Sequence, residues 1–512
     1  MKHLKKAIGV ALCCCAAAVS FAGCGSGGAS QGGAKDKHLN LGLYWFGESL
    51  DPASGWDSWT LTRIGAGETL VTVTDKMQFA PQLADKWENV SPTTWKLHIR
   101  KGVKFSNGDD MTPELVKASL ERTLSKNDRA KKLSKIKDIK VDGENLIIET
   151  TEPYGSFISS LTEPLFCIMD TKNGDENAAT APVLTGPYAV TGFTKNEEIQ
   201  MKRNDNYWDG KPKLDTVTVK YVKDDSKRAM ALQSGELDMI QRVDAANRSL
   251  FENDSYHIFE GTGTRVYLLT LNMDGVLKND NFRKALSEMV DYDALASVEG
   301  NGAKAAGVPF PSSVPYGQVK TKAHHDMAAA EKDMAAAGYT EKNGEGYYTK
   351  DGQPLTLKLA VWGNKTAMYE AIQDQLKQAG IKMEIVHVQE PDMVDSIGKF
   401  DLVEHNWITA STNDPYWFLD ALFRSDSKSN DGHFNDPDVD RLLKEMATTF
   451  DDNKKNEITN EITNEITERV MKENPDLFLV FPANNLVAKN NVSNVPVFPI
   501  DYYVMTKDID IK

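Results

Sequence analysis

The chain has 512 residues, 40% of them hydrophobic, and a formal net charge of −15. Such an acidic surface repels phosphate backbones and anionic bilayers, which argues against nucleic acid as a partner and against membrane attachment through a basic patch. At roughly 150 residues per domain, the length predicts two to four domains or one large two-lobed body.

Lys2, Lys5 and Lys6 precede a run of uncharged apolar or small residues from Ala7 to Phe21. The run is shorter than the roughly 20 apolar residues that span a bilayer and ends in small residues, the layout of a cleaved export signal. Phe21-Ala22-Gly23-Cys24 resembles the lipobox of bacterial lipoproteins, in which the cysteine is diacylated and becomes the new N-terminus. That resemblance implies a signal peptide over residues 1–23, lipid on Cys24 and an extracytoplasmic protein held to a bacterial membrane, on the periplasmic side or at the cell surface. Removing three lysines with the signal takes the net charge from −15 to −18. Of the five cysteines only Cys24 and Cys167 remain, so no structural disulfide is expected. Residues 24–37, which include GGASQGGAKDK, have the composition of a flexible linker.

From Leu39 onward short β-like runs alternate with capped helices. Thr112 caps PELVKASLERTL with Pro113 at its first position, and DMAAAEKDMAAAG (326–338) closes at Gly338. LTLKLAV (355–361), AMYEAIQDQLKQAG (367–380) and IKMEIVHV (381–388) read as strand, helix and strand, a right-handed crossover between parallel strands. FDLVEHNW (400–407) is a further strand. Ligands of open α/β sheets lie beyond the carboxyl ends of strands, where this segment places Trp362 and Trp407. Asp436 caps PDVDRLLKEM, with Pro437 next. The repeat NEITNEITNEIT (456–467) sets Ile458, Ile462, Ile466 and Val470 about 40° apart per step, one apolar stripe of an amphipathic helix.

Gly28 to Gly32 matches G-x-S-x-G and Gly23 to Gly28 matches G-x-G-x-x-G, but both fall at the junction of signal and linker. Neither has the strand-turn-helix context its chemistry requires. The histidines form no H-E-x-x-H pair, and the neighbours His324 and His325 cannot share a helix face. His405 and His433 are the weak metal candidates; Cys167 reads as a buried small residue. Trp45, Trp56, Trp59, Trp362, Trp407 and Trp417 fall in strand ends or loops, which suits a pocket that stacks on a flexible ligand. Trp87, Trp95 and Trp208 read as core.

Several stretches together are similar to the family 5 extracellular solute-binding proteins, the peptide- and nickel-type receptors of ABC importers. They include SLDPAS, FAPQLADKWENVSPTTWKLHIRKGVKFSNGDDMTPELVKASLER, LTGPYAV, RNDNYWDGKPKLDTVTVKYVKD, ALQSGELDMI, FRKALSEMVDYDAL and NDPYWFLDALF, in the family's order. The resemblance implies an α/β, two-lobed fold of the periplasmic-binding-protein type II kind. Lobe one would span 38–265 with an extra subdomain at about 75–185, lobe two 266–483, and residues 484–512 would return to lobe one. It further implies a monomer that closes over its ligand and works with an ABC permease, with no catalytic residue and no cofactor of its own. Trp56, Trp59, Trp362, Asn406, Trp407, Ser411, Asn413 and Tyr416 are the expected ligand contacts. Peptide receptors of this family hold the free amino group with an aspartate where this chain has Ser411. Nickel-type receptors often carry arginine in the segment equivalent to LTEPLFCIMD, which has none. A peptide bound through its backbone, nickel held by a small chelator and another amphiphilic solute all stay open. An extracytoplasmic sensor or adhesin, or a secreted hydrolase, is the alternative class.

Overall fold

The computed structural model describes residues 36–362, 366–389, 397–410, 414–450 and 455–512. The signal segment, Cys24, and most of the linker, together with Ser411 and Asn413, lie outside them.

Two open sheets carry the molecule. The first has seven strands, in the spatial order Tyr256–Thr262, Ala483–Lys489, Met239–Gln241, His38–Leu43, Thr216–Tyr221, Glu198–Arg203, Tyr188–Thr194. His38–Leu43 lies at its centre, parallel to both neighbours, and Leu39, Leu41 and Leu43 are fully buried. The three leucines alternate with His38, Asn40 and Gly42, so they share the one face of the strand that enters the core. The second sheet has six strands, in the order Lys304–Ala305, Asp476–Phe481, Arg265–Leu271, Leu402–Ile408, Thr356–Val361, Lys382–His387. Thr356–Val361 and Lys382–His387 pair in parallel, joined by the helix Thr366–Ala379, which buries Met368, Ile372, Leu376 and Ala379 along one side. This is the crossover that the sequence predicts. A third, antiparallel sheet runs in the order Ala84–Ser91, Thr94–Ile99, Asn145–Thr150, Ile136–Asp142.

The chain passes from the first sheet to the second between Thr262 and Arg265 and returns through Pro482. The two passages run side by side, since Thr262 pairs with Ala483. Thr409 N–H donates to Thr264 O and Thr264 N–H to Pro499 O, which ties a further segment to the same place.

Local chemistry sets the helix ends. Thr112 accepts the Leu115 N–H, and Asp436 accepts those of Asp438 and Val439. Gly338 and Gly380 close their helices at φ +93° and +99°, a conformation that costs other residues strain. In Lys455–Glu473, Ile462, Ile466 and Val470 are buried and Ile458 is half-buried. Thr463 and Thr467 are buried beside them, their hydroxyls donating to Thr459 O and Thr463 O. Back-bonding lets these hydroxyls enter an apolar contact without a lost hydrogen bond. Trp95 is buried, while Trp87 and Trp208 are partly buried against the same core. Cys167 is a buried free thiol whose pKa burial pushes up.

The antiparallel sheet shares one core with helices that lie between the strands Leu402–Ile408 and Asp476–Phe481 of the second sheet: Trp95, Phe157, Phe418, Val439 and Ile466 belong to a single cluster. Among the described residues no helix is long and apolar enough to cross a membrane.

Candidate functional site

A cleft of about 770 Å³ opens where the two passages meet. Its walls are strand ends. His38–Leu43 runs out into Tyr44 and Trp45, Met239–Gln241 into Arg242, and Thr356–Val361 into Trp362, and all of these line the cleft. Parallel strands of one sheet deliver their carboxyl ends to one edge, so the two sheets present both edges to the same space. Thr264, Arg265, Pro482 and Asp501 complete the lining.

Arg242 stands in the left-handed region at φ +63°, its guanidinium over the Tyr44 ring at 5.3 Å. Burial opposes its charge, but the phenols of Tyr267 and Tyr44 and the carboxyls of Asp225 and Glu299 outweigh that and hold its pKa above the ordinary value. Among the described residues Arg242 makes no ion pair. Arg265 donates from Nη1 to Asn406 Oδ1 at 2.6 Å, and its Nη2 stands 3.9 Å from Asp501 Oδ1. Asp501 receives Arg63 twice, Nε to the carbonyl oxygen at 2.7 Å and Nη2 to Oδ2 at 2.9 Å. Burial pushes the Asp501 carboxyl up, yet the Arg63 and Arg265 charges and the Arg63 and Tyr44 hydrogen bonds hold it below the usual range.

Four buried polar atoms of this wall have no hydrogen-bond partner among the described residues: Gln241 Oε1, Thr264 Oγ1, Trp362 Nε1 and Asp501 Oδ1. Each such group costs on the order of 1–3 kcal/mol, so their gathering in one cleft marks a surface built to meet something polar.

The structure divides the expected contacts between two places. Trp362, Asn406 and His405 line the cleft. Strand alternation turns His405 and Trp407 away from the face of Glu404 and Asn406. Accordingly His405 Nε2 lies 3.4 Å from Asp431 Oδ2, and Trp407 packs against the Phe418 ring at 6.4 Å, outside the cleft lining. Tyr416 is buried, donating its hydroxyl to Asp420 and setting its ring 6.0 Å from Tyr154. His433 lies at the surface, Nδ1 2.7 Å from Asp274 Oδ2. Among the described residues no three His, Cys, Asp or Glu side chains are placed to hold a metal ion.

Trp56 and Trp59 form the second place. Trp59 donates Nε1 to Glu163 Oε1 at 2.8 Å and packs its ring, tilted, against that of Tyr502 at 5.0 Å. Trp56 is half exposed, edge-on to Trp59 at 4.9 Å, with the Arg129 guanidinium 3.9 Å above its ring. Arg129 pairs with Glu163 through Nη1 at 2.9 Å, while its buried Nη2 has no hydrogen-bond partner among the described residues. Arg63 separates this group from the cleft, its guanidinium 5.3 Å from the Trp45 ring centre and 5.6 Å from that of Trp59.

Gln241, Arg242, Arg265 and Asp501 were not legible as site residues. Their polar types in ordinary sequence context read as solvated surface, although ELDMIQ followed by Arg is a strand end by the same rule that singles out Trp362.

Comparison with known proteins places this geometry. The family described as bacterial extracellular solute-binding proteins, family 5 Middle, matches residues 78–430. The nickel-binding protein NikA of Staphylococcus aureus is 26% identical over 495 residues, 96% of each chain. The crystal structure of the nickel ABC transporter from Bacillus halodurans is 29% identical with a TM-score of 0.79, covering 93% of this chain and 100% of its own. The oligopeptide-binding protein AppA of Bacillus subtilis, in complex with a nonapeptide, has a TM-score of 0.75 over 93% of this chain and 99% of its own; at 20% identity it speaks for the fold alone. The two sheets are thus the centres of two α/β lobes of the periplasmic-binding-protein type II kind. By the family match the chain belongs to the bacterial extracellular solute-binding proteins of family 5, which are binding proteins and not enzymes.

Proposed function

We propose that the chain is an extracytoplasmic receptor that closes its lobes over a small carboxylate-bearing solute, a short peptide or nickel held by a small chelator, and delivers it to an ABC permease. The observation that carries this reading is the cleft wall, where among the described residues Arg242 makes no ion pair and four buried polar atoms beside it have no hydrogen-bond partner. A carboxylate meets Arg242 through charge-assisted bonds, and a solute with both donors and acceptors satisfies the rest of the wall. Trp45 and Trp362 supply the apolar stacking surface. The Trp56 and Arg129 group offers a second anchoring point beyond Arg63, and Trp407, Ser411, Asn413 and Tyr416 stay in this proposal as further candidate ligand contacts. Lobe one would comprise residues 38–265 and 484–512, with the subdomain at about 75–185, and lobe two 266–483; the passages at 262–265 and 481–483 would form the hinge. Retention near the membrane would come from lipid on Cys24, and the receptor would act as a monomer.

Thermal unfolding of the protein lacking residues 1–35, against short peptides, nickel with and without free histidine, and small chelators, tests the reading. A solute at 100 times its dissociation constant adds about 2.7 kcal/mol, which raises the melting point visibly. A shift with nickel and histidine together, absent with either alone, selects the chelate; a shift with peptides selects those. Arg242→Met should abolish whichever shift is found, and a full shift in that variant would remove Arg242 from the site.

A further inference from the structure

Gly300, Asn301 and Gly302 are three consecutive residues with positive φ, at +65°, +52° and +79°. They join the helix Tyr292–Glu299 to the strand Lys304–Ala305 of the second sheet, yet their contacts lie with residues that flank the first. Asn301 Oδ1 accepts a hydrogen bond from Arg248 Nη1 at 2.8 Å, and Asn301 Nδ2 donates to the carbonyl oxygen of Val243. Glu260, in the edge strand of the first sheet, holds Arg248 in turn at 2.7 Å. The approach is close: a Cβ at Gly300 would stand 2.4 Å from Ala245 Cβ, and one at Gly302 3.1 Å from Glu260 Oε2. A side chain at Gly300 would displace Ala245, and one at Gly302 would push back the carboxylate of Glu260. Asn301 between them holds a left-handed conformation that strains a non-glycine residue, so its own contacts must keep it there.

We infer that this turn is a clasp across the cleft, in which Asn301 acts as a positioning residue that fixes the lobes in the closed arrangement and so sets how long any solute is retained. The inference rests on the reading of the chain as a closing receptor. Its physics is a population shift: a contact made only between the lobes raises the closed fraction, and the apparent affinity rises with that fraction. Val243, Asp244, Glu299 and Asn301 all line the cleft, so the clasp sits at the space it closes.

Backbone hydrogen exchange of the full chain, without added solute, tests it in three variants: Asn301→Gly, Arg248→Met and both together. Asn301→Gly removes the amide while keeping the positive φ unstrained. The clasp predicts faster exchange over residues 243–248, a segment that this substitution does not alter, with unchanged rates in His38–Leu43 and Thr356–Val361. The double variant should exchange faster there by less than the two single variants would add up to, because the Arg248–Asn301 bond is lost in both. Unchanged exchange at 243–248 in Asn301→Gly overturns the clasp, and so does an additive double variant, in which Arg248 acts through Glu252 and Glu260 alone. A solute panel that shifts nothing would sink the receptor reading without touching the exchange result. With a bound solute, Asn301→Gly should release it about tenfold faster for each 1.4 kcal/mol of clasp lost.

Discussion

Arg63 Nη2 stands 2.9 Å from Asp501 Oδ2, a pair 438 residues apart in sequence and enclosed by the Trp45 and Trp59 rings. Arg63 is buried and Asp501 largely so. A charge removed from such a pair strands the other in a medium that cannot solvate it. Arg63→Met should therefore cost about 3–5 kcal/mol in urea unfolding. The pair also has a pH signature. The Asp501 carboxyl is held below its unfolded value, so its contribution is complete above about pH 4 and disappears as pH falls through the lower folded value. Asp501→Asn should flatten that part of the acid limb, and an acid limb identical to wild type would detach the pair from stability.

Trp362 and Trp407 were equivalent as strand ends, and the structure separates their consequences. Trp362 lines the cleft with an indole N–H that has no hydrogen-bond partner among the described residues, whereas Trp407 packs on the shared core beside Phe418. Trp362→Ala should weaken solute binding with little change in melting point. Trp407→Ala should lower stability by up to about 3 kcal/mol through lost packing. Solute titration together with thermal unfolding of both variants decides; a stable Trp407→Ala that cannot bind would put that ring at the ligand.

The elements that were legible are those whose signal is local. The crossover over 355–388 announces itself by period, Thr112 and Asp436 by cap chemistry next to proline, and the NEIT repeat by a stripe that needs only Ile462, Ile466 and Val470 on one side. The site is different because its polar members meet across the whole chain. Nothing near Arg63 in sequence points to Asp501, and nothing near Arg242 points to Thr264. The face of Trp407 was available from alternation, since it follows Asn406 by one residue and must point the other way. Strand-end position suggested a ligand contact, and parity assigned the side.

Glu68 gives the molecule a stability that declines with pH. It is buried, accepting the Tyr207 hydroxyl at 2.9 Å on Oε1 and the Trp208 N–H at 3.0 Å on Oε2, and burial pushes its carboxyl up to about 7. Between about pH 4.5 and 7 the folded chain keeps a proton that the unfolded chain has released. Stability attributable to Glu68 is therefore complete below that window and falls as pH rises through it, by about 3 kcal/mol in total. Asp476, raised by burial to about 6, adds a slope of the same sign at lower pH. The readout is accordingly the difference between wild type and Glu68→Gln in urea midpoints at pH 5 and pH 8. The variant should gain relative to wild type at pH 8, and parallel profiles would show that Glu68 titrates alike in both states.

Gly155 marks where the antiparallel sheet's side of the molecule meets the helix Pro437–Ala447. Its N–H donates to Ala447 O at 2.6 Å, and a Cβ built there would stand 2.4 Å from Thr449 O. The obstacle is backbone, which cannot swing aside as a side chain would. Gly155→Ala must either push the end of Pro437–Ala447 outward or lose the hydrogen bond, and the Tyr154–Tyr416 contact at 6.0 Å moves with it. Overpacking of this kind costs about 1–3 kcal/mol. A lower urea midpoint with an unchanged scattering radius would mean that the contact belongs to the fold. If instead the midpoint holds and the radius grows, the surfaces separate freely, and Gly155 serves closure as Asn301 does on the cleft side. Loss of neither would show that the helix end shifts at no cost, and the close approach would carry no weight.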